Sequence, residues 1–253
     1  MNRNTTIALA SYLTLLTIAE VIISYYWELG LNSPNLGVLV HVFIVLTLLA
    51  YSFFSDRKHS LFMATLIFPP TIRILNTSLT DFQFIYSILI INSLVIVTAY
   101  LFIKNNNLKL KDAGFYAGNV KWQLCISATG LLLGYMEYLI LGEQMMGELY
   151  FSGLIMYSLV FLFFTGFSEE FVFRGIILRN SENVISEKYA LVFVSLIFTT
   201  MHIIWKNPLD IIFVFLVAMF YGYIFQRTRS LLGISLSHGI ANIMLFLILP
   251  SVV

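Results

Sequence analysis

The sequence predicts an all-α fold, a polytopic membrane helix bundle with eight or nine spans and a polar cavity in its C-terminal half. Three observations lead there. The chain is 59% hydrophobic and only 11% charged, far below the quarter charged of a soluble domain, and its mean hydropathy is +0.90. Runs of about 20 apolar residues recur, each long enough as helix to cross a hydrocarbon core roughly 30 Å thick. These runs do not alternate apolar and polar residues, as barrel strands would.

Nine segments follow in order: Thr6–Leu29, Leu36–Phe54, Leu61–Leu75, Phe84–Ile103, Gln123–Leu141, Phe151–Leu178, Ala190–Trp205, Asp210–Gln226 and Leu231–Leu249. The third is the weakest, because Pro69-Pro70 interrupts it and Arg73 lies inside it. Eight full spans and one broken or re-entrant segment is the alternative count. The first segment carries Glu20 and lacks a small-residue cleavage site after it, so it reads as a retained span rather than a signal peptide. The C-terminal Leu249-Pro250-Ser251-Val252-Val253 carries no lipidation signal. Lys104–Trp122 is the longest loop and the expected boundary between two helical halves. Residues 1–253 read as one membrane domain, with spans over 6–141 preceding a polar core at about 151–249.

With the N-terminus inside, eleven basic residues from Arg3 to Arg229 fall on the cytoplasmic side, and only Arg73 and Lys206 fall outside. The positive-inside bias therefore predicts a cytoplasmic N-terminus and a C-terminus on the opposite side. A net charge of +1 excludes the broad electrostatic footprint of a nucleic-acid partner. The lone Cys125 excludes an intrachain disulfide.

Within the apolar stretch, Ser168-Glu169-Glu170-Phe171-Val172-Phe173-Arg174 is the exception. A charge at bilayer depth costs from a few to roughly 10 kcal/mol, so these three demand partners or a wet cavity. Glu170 and Arg174 are i, i+4, about 40° apart on one helix face, and can pair. Glu169 projects about 100° from Glu170, into a different environment. Desolvation and a neighbouring like charge suit such a carboxylate to general-base work. The competing reading is a buried ion network without chemistry.

His202, His238 and Asn242 are the other polar residues inside the later spans. Phe198 with His202, and His238 with Asn242, are both i, i+4 pairs on shared faces. A lone intramembrane histidine more often serves helix packing. Counted from the cytoplasmic helix ends at 1.5 Å per residue, however, Glu169 lies about 14 Å deep, His202 about 18 Å, His238 about 10 Å and Asn242 about 16 Å. Polar groups on three helices thus fall in one slab, as a shared buried site requires.

Other signatures are missing. The sequence has no His-Glu-x-x-His helix, no Gly-x-Ser-x-Gly elbow and no phosphate-cradling glycine loop. Gly130 and Gly134 read as close helix packing. Glu20 and Glu137 read as structural polar contacts, His41 as a packing or interface residue, and His59 as a solvated loop residue.

Glu-Glu-x-x-x-Arg at Glu169, Glu170 and Arg174, Phe-x-x-x-His at Phe198–His202 and His-x-x-x-Asn at His238–Asn242 resemble the motifs of the CAAX prenyl protease and bacteriocin-processing family, which includes the type II CAAX prenyl endopeptidase. The resemblance covers roughly Phe151 to Leu249, and no core position departs from it. It implies an intramembrane endopeptidase acting in a polar catalytic cavity. Glu169, assisted by His202, would activate water, while His238 and Asn242 would donate to the oxyanion. Glu170 and Arg174 would support the base, and Phe198 would be a wall residue. The implied partners are the bilayer and a membrane-associated peptide or protein substrate, lipidated (a prenylated CAAX sequence) or not.

Metal use stays open at this point. Glu169, His202 and His238 could complete a His₂Glu zinc set, but the same residues suffice without metal, and the reading taken is that no cofactor is required. Two other function classes compete: a proton-coupled transporter, which would show polar residues in paired halves, and a non-catalytic scaffold or immunity protein on the protease fold.

Overall fold

A computed structural model describes residues 3–79, 84–142 and 151–252. Helices follow one another along the chain: α1 Arg3–Tyr25, α2 Asn35–Phe54, α3 Arg57–Thr65, α4 Phe68–Ser78, α5 Phe84–Asn105 and α6 Val120–Leu141. The continuous helix α7 covers 151–181, α8 is Glu187–Thr200 with a 3₁₀ turn Ile203–Trp205 after it, α9 is Pro208–Thr228 and α10 covers 232–252. There is no strand among the described residues. Eight of the described helices are long and apolar enough to cross a membrane, and the chain is an integral, multi-pass membrane protein. Large apolar side chains such as Leu39 and Leu132 are correspondingly exposed.

The expected third span is two short helices instead. Pro69 and Pro70 occupy the opening turn of α4, where a missing N–H costs nothing because those donors have no intrahelical partner. The Tyr12 hydroxyl donates to the carbonyl of Leu66 at 3.0 Å, satisfying an acceptor that the break releases.

The chain divides into two compact units, Met1–Thr80 with Ile177–Met219 and Asp81–Ile176 with Phe220–Val253. In the first unit, α1 and α2 meet at Gly37, where a Cβ would come within 2.8 Å of the Ala19 carbonyl oxygen. Asp56 caps α3 by accepting from the backbone N–H groups of Lys58 and His59. His59 is not simply solvated: its ring lies 2.7 Å from the Asp56 carboxylate.

In the second unit, α6 starts at an Asn119 cap and ends at Gly142, whose φ of +75° is a left-handed-side conformation suited to glycine. Glycines let α6 and α7 lie directly against α10. A Cβ on Gly130 would strike the Ser237 carbonyl, one on Gly134 would sit 2.5 Å from that of Ala241, and one on Gly166 would sit 2.5 Å from the Gly239 amide nitrogen. The packing expected of Gly130 and Gly134 is therefore present. The loop after α5 is no boundary between the units. Gly114, at φ +93°, packs under Leu231 and Phe225, its carbonyl accepts from Leu231 N at 3.0 Å, and Phe115 meets Phe167 and Phe171 edge-on.

Candidate active site

The close contact of Gly166 with Gly239 sets the site, because each glycine is a short step along its helix from a charged group. His238 immediately precedes Gly239, and Glu169 and Glu170 lie just beyond Gly166. Both carboxylates stand on a single α turn, Phe167–Glu170, between two π segments, Phe161–Gly166 and Phe171–Leu178. The uniform α pitch assumed from sequence is thus interrupted on both sides of the site, a feature common at functional positions.

Glu170 is fully buried and Arg174 is 1% exposed. Arg174 Nη1 donates to Glu170 Oε1 at 3.0 Å, the i, i+4 pair that the spacing anticipates. The same oxygen lies 2.9 Å from His238 Nδ1. An ionised carboxylate only accepts, so Nδ1 carries the hydrogen and the neutral ring has its lone pair on Nε2. That nitrogen faces the other carboxylate, 3.8 Å from Glu169 Oε2. At this length the contact is no direct hydrogen bond, and the separation suits a bridging water or substrate atom.

The two carboxylates therefore differ in access: the Glu169 side chain is 28% exposed, whereas Glu170 is sealed. Glu170 can orient and compensate charge, and Glu169 can meet a reactant. Asn242, one turn beyond His238 on α10, is buried at 8% exposure.

Tyr221 lies beneath this group. Its ring stacks near His238 at 6.1 Å between centroids, and the Arg174 guanidinium sits 5.8 Å over its face. Its hydroxyl is 2.9 Å from Ser237 Oγ, which is 2.8 Å from Thr129 Oγ1. On the far side, Ser168 Oγ donates to Asn92 Oδ1, and the Asn92 amide donates to the Ile88 carbonyl at 3.0 Å. Asn92 and Tyr221 are not singled out by the sequence reading. A lone amide in an otherwise apolar span is a usable signal for Asn92, while nothing distinguishes Tyr221 from the other 13 tyrosines.

His202 belongs to the first unit. Helix α8 ends at Thr200, so His202 stands in the turn beyond the helix rather than in its interior. His202 Nδ1 lies 2.8 Å from the Phe198 carbonyl, and the two rings are 4.6 Å apart. A carbonyl only accepts, so this bond places the basic lone pair of the neutral ring on Nε2.

A catalytic zinc takes three protein ligands. Glu169 Oε2 and His238 Nε2 converge, but His238 Nδ1 is committed to Glu170, and no group of three His, Cys, Asp or Glu side chains suited to a metal occurs among the described residues.

These features define a polytopic helical membrane protein with a partly buried histidine set between two carboxylates. Residues 151–244 match the family model described as Type II CAAX prenyl endopeptidase Rce1-like. The matched segment contains Glu169, Glu170, Arg174, His202, His238 and Asn242. No curated protein and no solved structure matches the chain.

Proposed function

We propose that the chain is an intramembrane endopeptidase that hydrolyses a peptide bond of a membrane-associated substrate, with prenylated CAAX sequences as the substrate class. The observation that carries this reading is the His238 ring facing both Glu169 and Glu170 within a segment matched to a protease family.

In this mechanism Glu169 takes a proton from water as the water oxygen bonds to the scissile carbonyl carbon. His202, whose tautomer suits a base, assists, as its Phe-x-x-x-His motif implies. The oxyanion is met by the Asn242 amide and by His238 in its imidazolium form, which takes up a solvent proton on Nε2 before the reaction and keeps it throughout, Nδ1–H remaining on Glu170. Collapse of the tetrahedral intermediate breaks the C–N bond, and the proton held by Glu169 passes to the leaving amine. Such donors are worth about 3 kcal/mol of barrier each. Glu170 and Arg174 hold His238 in register. No obligatory metal is invoked, and the N-terminus lies on the cytoplasmic side with the C-terminus opposite.

The test is turnover of a farnesylated CAAX peptide by the purified chain. Glu169→Gln should lower kcat at least about 100-fold, the scale of a lost general base, with an unchanged unfolding temperature. Turnover should survive chelator and fall when the farnesyl group is removed. Wild-type rates in Glu169→Gln would sink the assignment.

A further inference from the structure

Buried charges also gather in the first unit, where the proposed chemistry uses only His202. Glu20 on α1 and His41 on α2 are fully buried, and Arg73 on α4 is 8% exposed. Arg73 Nε lies 2.8 Å from the Glu20 carboxylate, and His41 Nε2 lies 3.3 Å from it. Arg73 does not stop at its counter-ion. Its Nη2 donates at 2.5 Å to the carbonyl of Met201, 128 residues away in the chain. Met201 caps the C-terminal end of α8, and His202 follows it directly.

This second bond is informative. A helix C-terminus leaves its last carbonyls without intrahelical donors, and a guanidinium is the one side chain able to hold a carboxylate and a carbonyl at once in a fixed fork. An arginine needed only to neutralise Glu20 has no reason to reach the residue before His202. The Phe198 carbonyl fixes the ring tautomer of His202, and the His202 N–H donates to the Thr199 carbonyl at 2.9 Å, while the preceding carbonyl, that of Met201, is held by Arg73.

We infer that Arg73, oriented by Glu20, is a positioning residue that clamps the Met201 carbonyl and thereby sets the placement of the His202 imidazole. As a contribution to catalysis this rests on the proposed protease reading; as a statement about His202 it stands separately.

The test follows ring resonances in protein carrying isotope-labelled histidine. The chain has only four histidines, so His202 is assigned by its loss in His202→Gln. Arg73→Gln should shift or broaden the His202 signal and leave that of His59 in place. It should also lower kcat for the farnesylated peptide about 10- to 100-fold, the cost of a small misplacement of a reacting group, with KM within about twofold. Tyr12→Phe removes a different buried interhelix hydrogen bond of the same unit, to Leu66 O. It is the control for general loosening and should leave both readouts unchanged.

Should Arg73→Gln fail to fold, Arg73→Lys keeps the charge beside Glu20 but lacks the planar fork whose separate Nε and Nη2 reach Glu20 and the Met201 carbonyl. It should retain stability and still move the His202 signal. An unmoved His202 resonance and unchanged kcat in a folded Arg73 variant would overturn the inference. If wild type cleaves nothing, the protease reading fails and the resonance alone decides the positioning role.

Discussion

Two clusters of buried charge sit in the two units, and they are built in opposite ways. Around Glu170 the ion pair with Arg174 is local, one helical turn apart, and only the histidine comes from a distant helix. Around Glu20 each partner comes from a different helix, and none lies within a turn of another in sequence. The first cluster opens onto an accessible carboxylate, Glu169; the second shuts its acid and histidine away completely. The first cluster sets a partly exposed acid beside a compensated one, whereas the second is sealed, and the proposed function places the reaction at the first.

The largest effects should come from breaking either ion pair on one side. Glu170→Met leaves Arg174 without its carboxylate, and Glu20→Met does the same to Arg73. Each should cost about 3–5 kcal/mol, since an uncompensated buried charge remains. Thermal unfolding in detergent measures both. The pairs part company when both partners are replaced. Glu20→Met with Arg73→Met should regain most of the lost stability, because an apolar pair of similar volume replaces the ions, yet its His202 signal should stay displaced. Glu170→Met with Arg174→Met should regain stability but no turnover, because His238 Nδ1 has then lost its acceptor. Recovery of turnover in that double variant would erase the proposed distinction between the clusters.

A smaller effect is expected at the helix crossing. In Gly239→Ala the new Cβ would lie 2.7 Å from Leu162 Cα, a backbone atom that cannot swing aside. Overpacking of this kind costs typically about 1–3 kcal/mol. Because His238 is the adjacent residue, turnover should fall further than the stability loss explains. Equal losses of stability and turnover would show that the crossing supports the fold alone.

The smallest effect belongs to an exposed pair. Lys206 donates to Glu28 at 2.8 Å, and that hydrogen bond holds the Glu28 carboxyl below its usual range. A depressed folded-state value means that the pair's contribution is present at neutral pH and is lost as pH falls through that value. Lys206→Met should return the Glu28 titration, followed by carboxyl NMR, towards the ordinary glutamate range, with no measurable change in unfolding temperature. An unmoved titration would remove Lys206 as the cause.

Much of this protein is legible in its amino-acid sequence. Hydropathy and length determine the helices because a chain in hydrocarbon must satisfy its backbone internally. Pro69-Pro70 flags the broken third span, and i, i+4 spacing flags the Glu170–Arg174 pair, both being local properties of a helix. The motif set around Glu169, His202, His238 and Asn242 is legible through its residue types and order. What only the tertiary structure decided is which groups those residues face. His238 joins Glu170 across 68 residues, Ser168 meets Asn92 across 76, and Arg73 reaches Glu20 across 53 and Met201 across 128. Such contacts depend on glycines that let helices touch and on where a helix ends, and neither sets a period that a sequence displays. The sequence alone thus determined that costly charges had to be compensated. Packing decided that Glu170 is compensated and sealed while Glu169 remains accessible, because a helix can bury one face against a neighbour and leave the next face open.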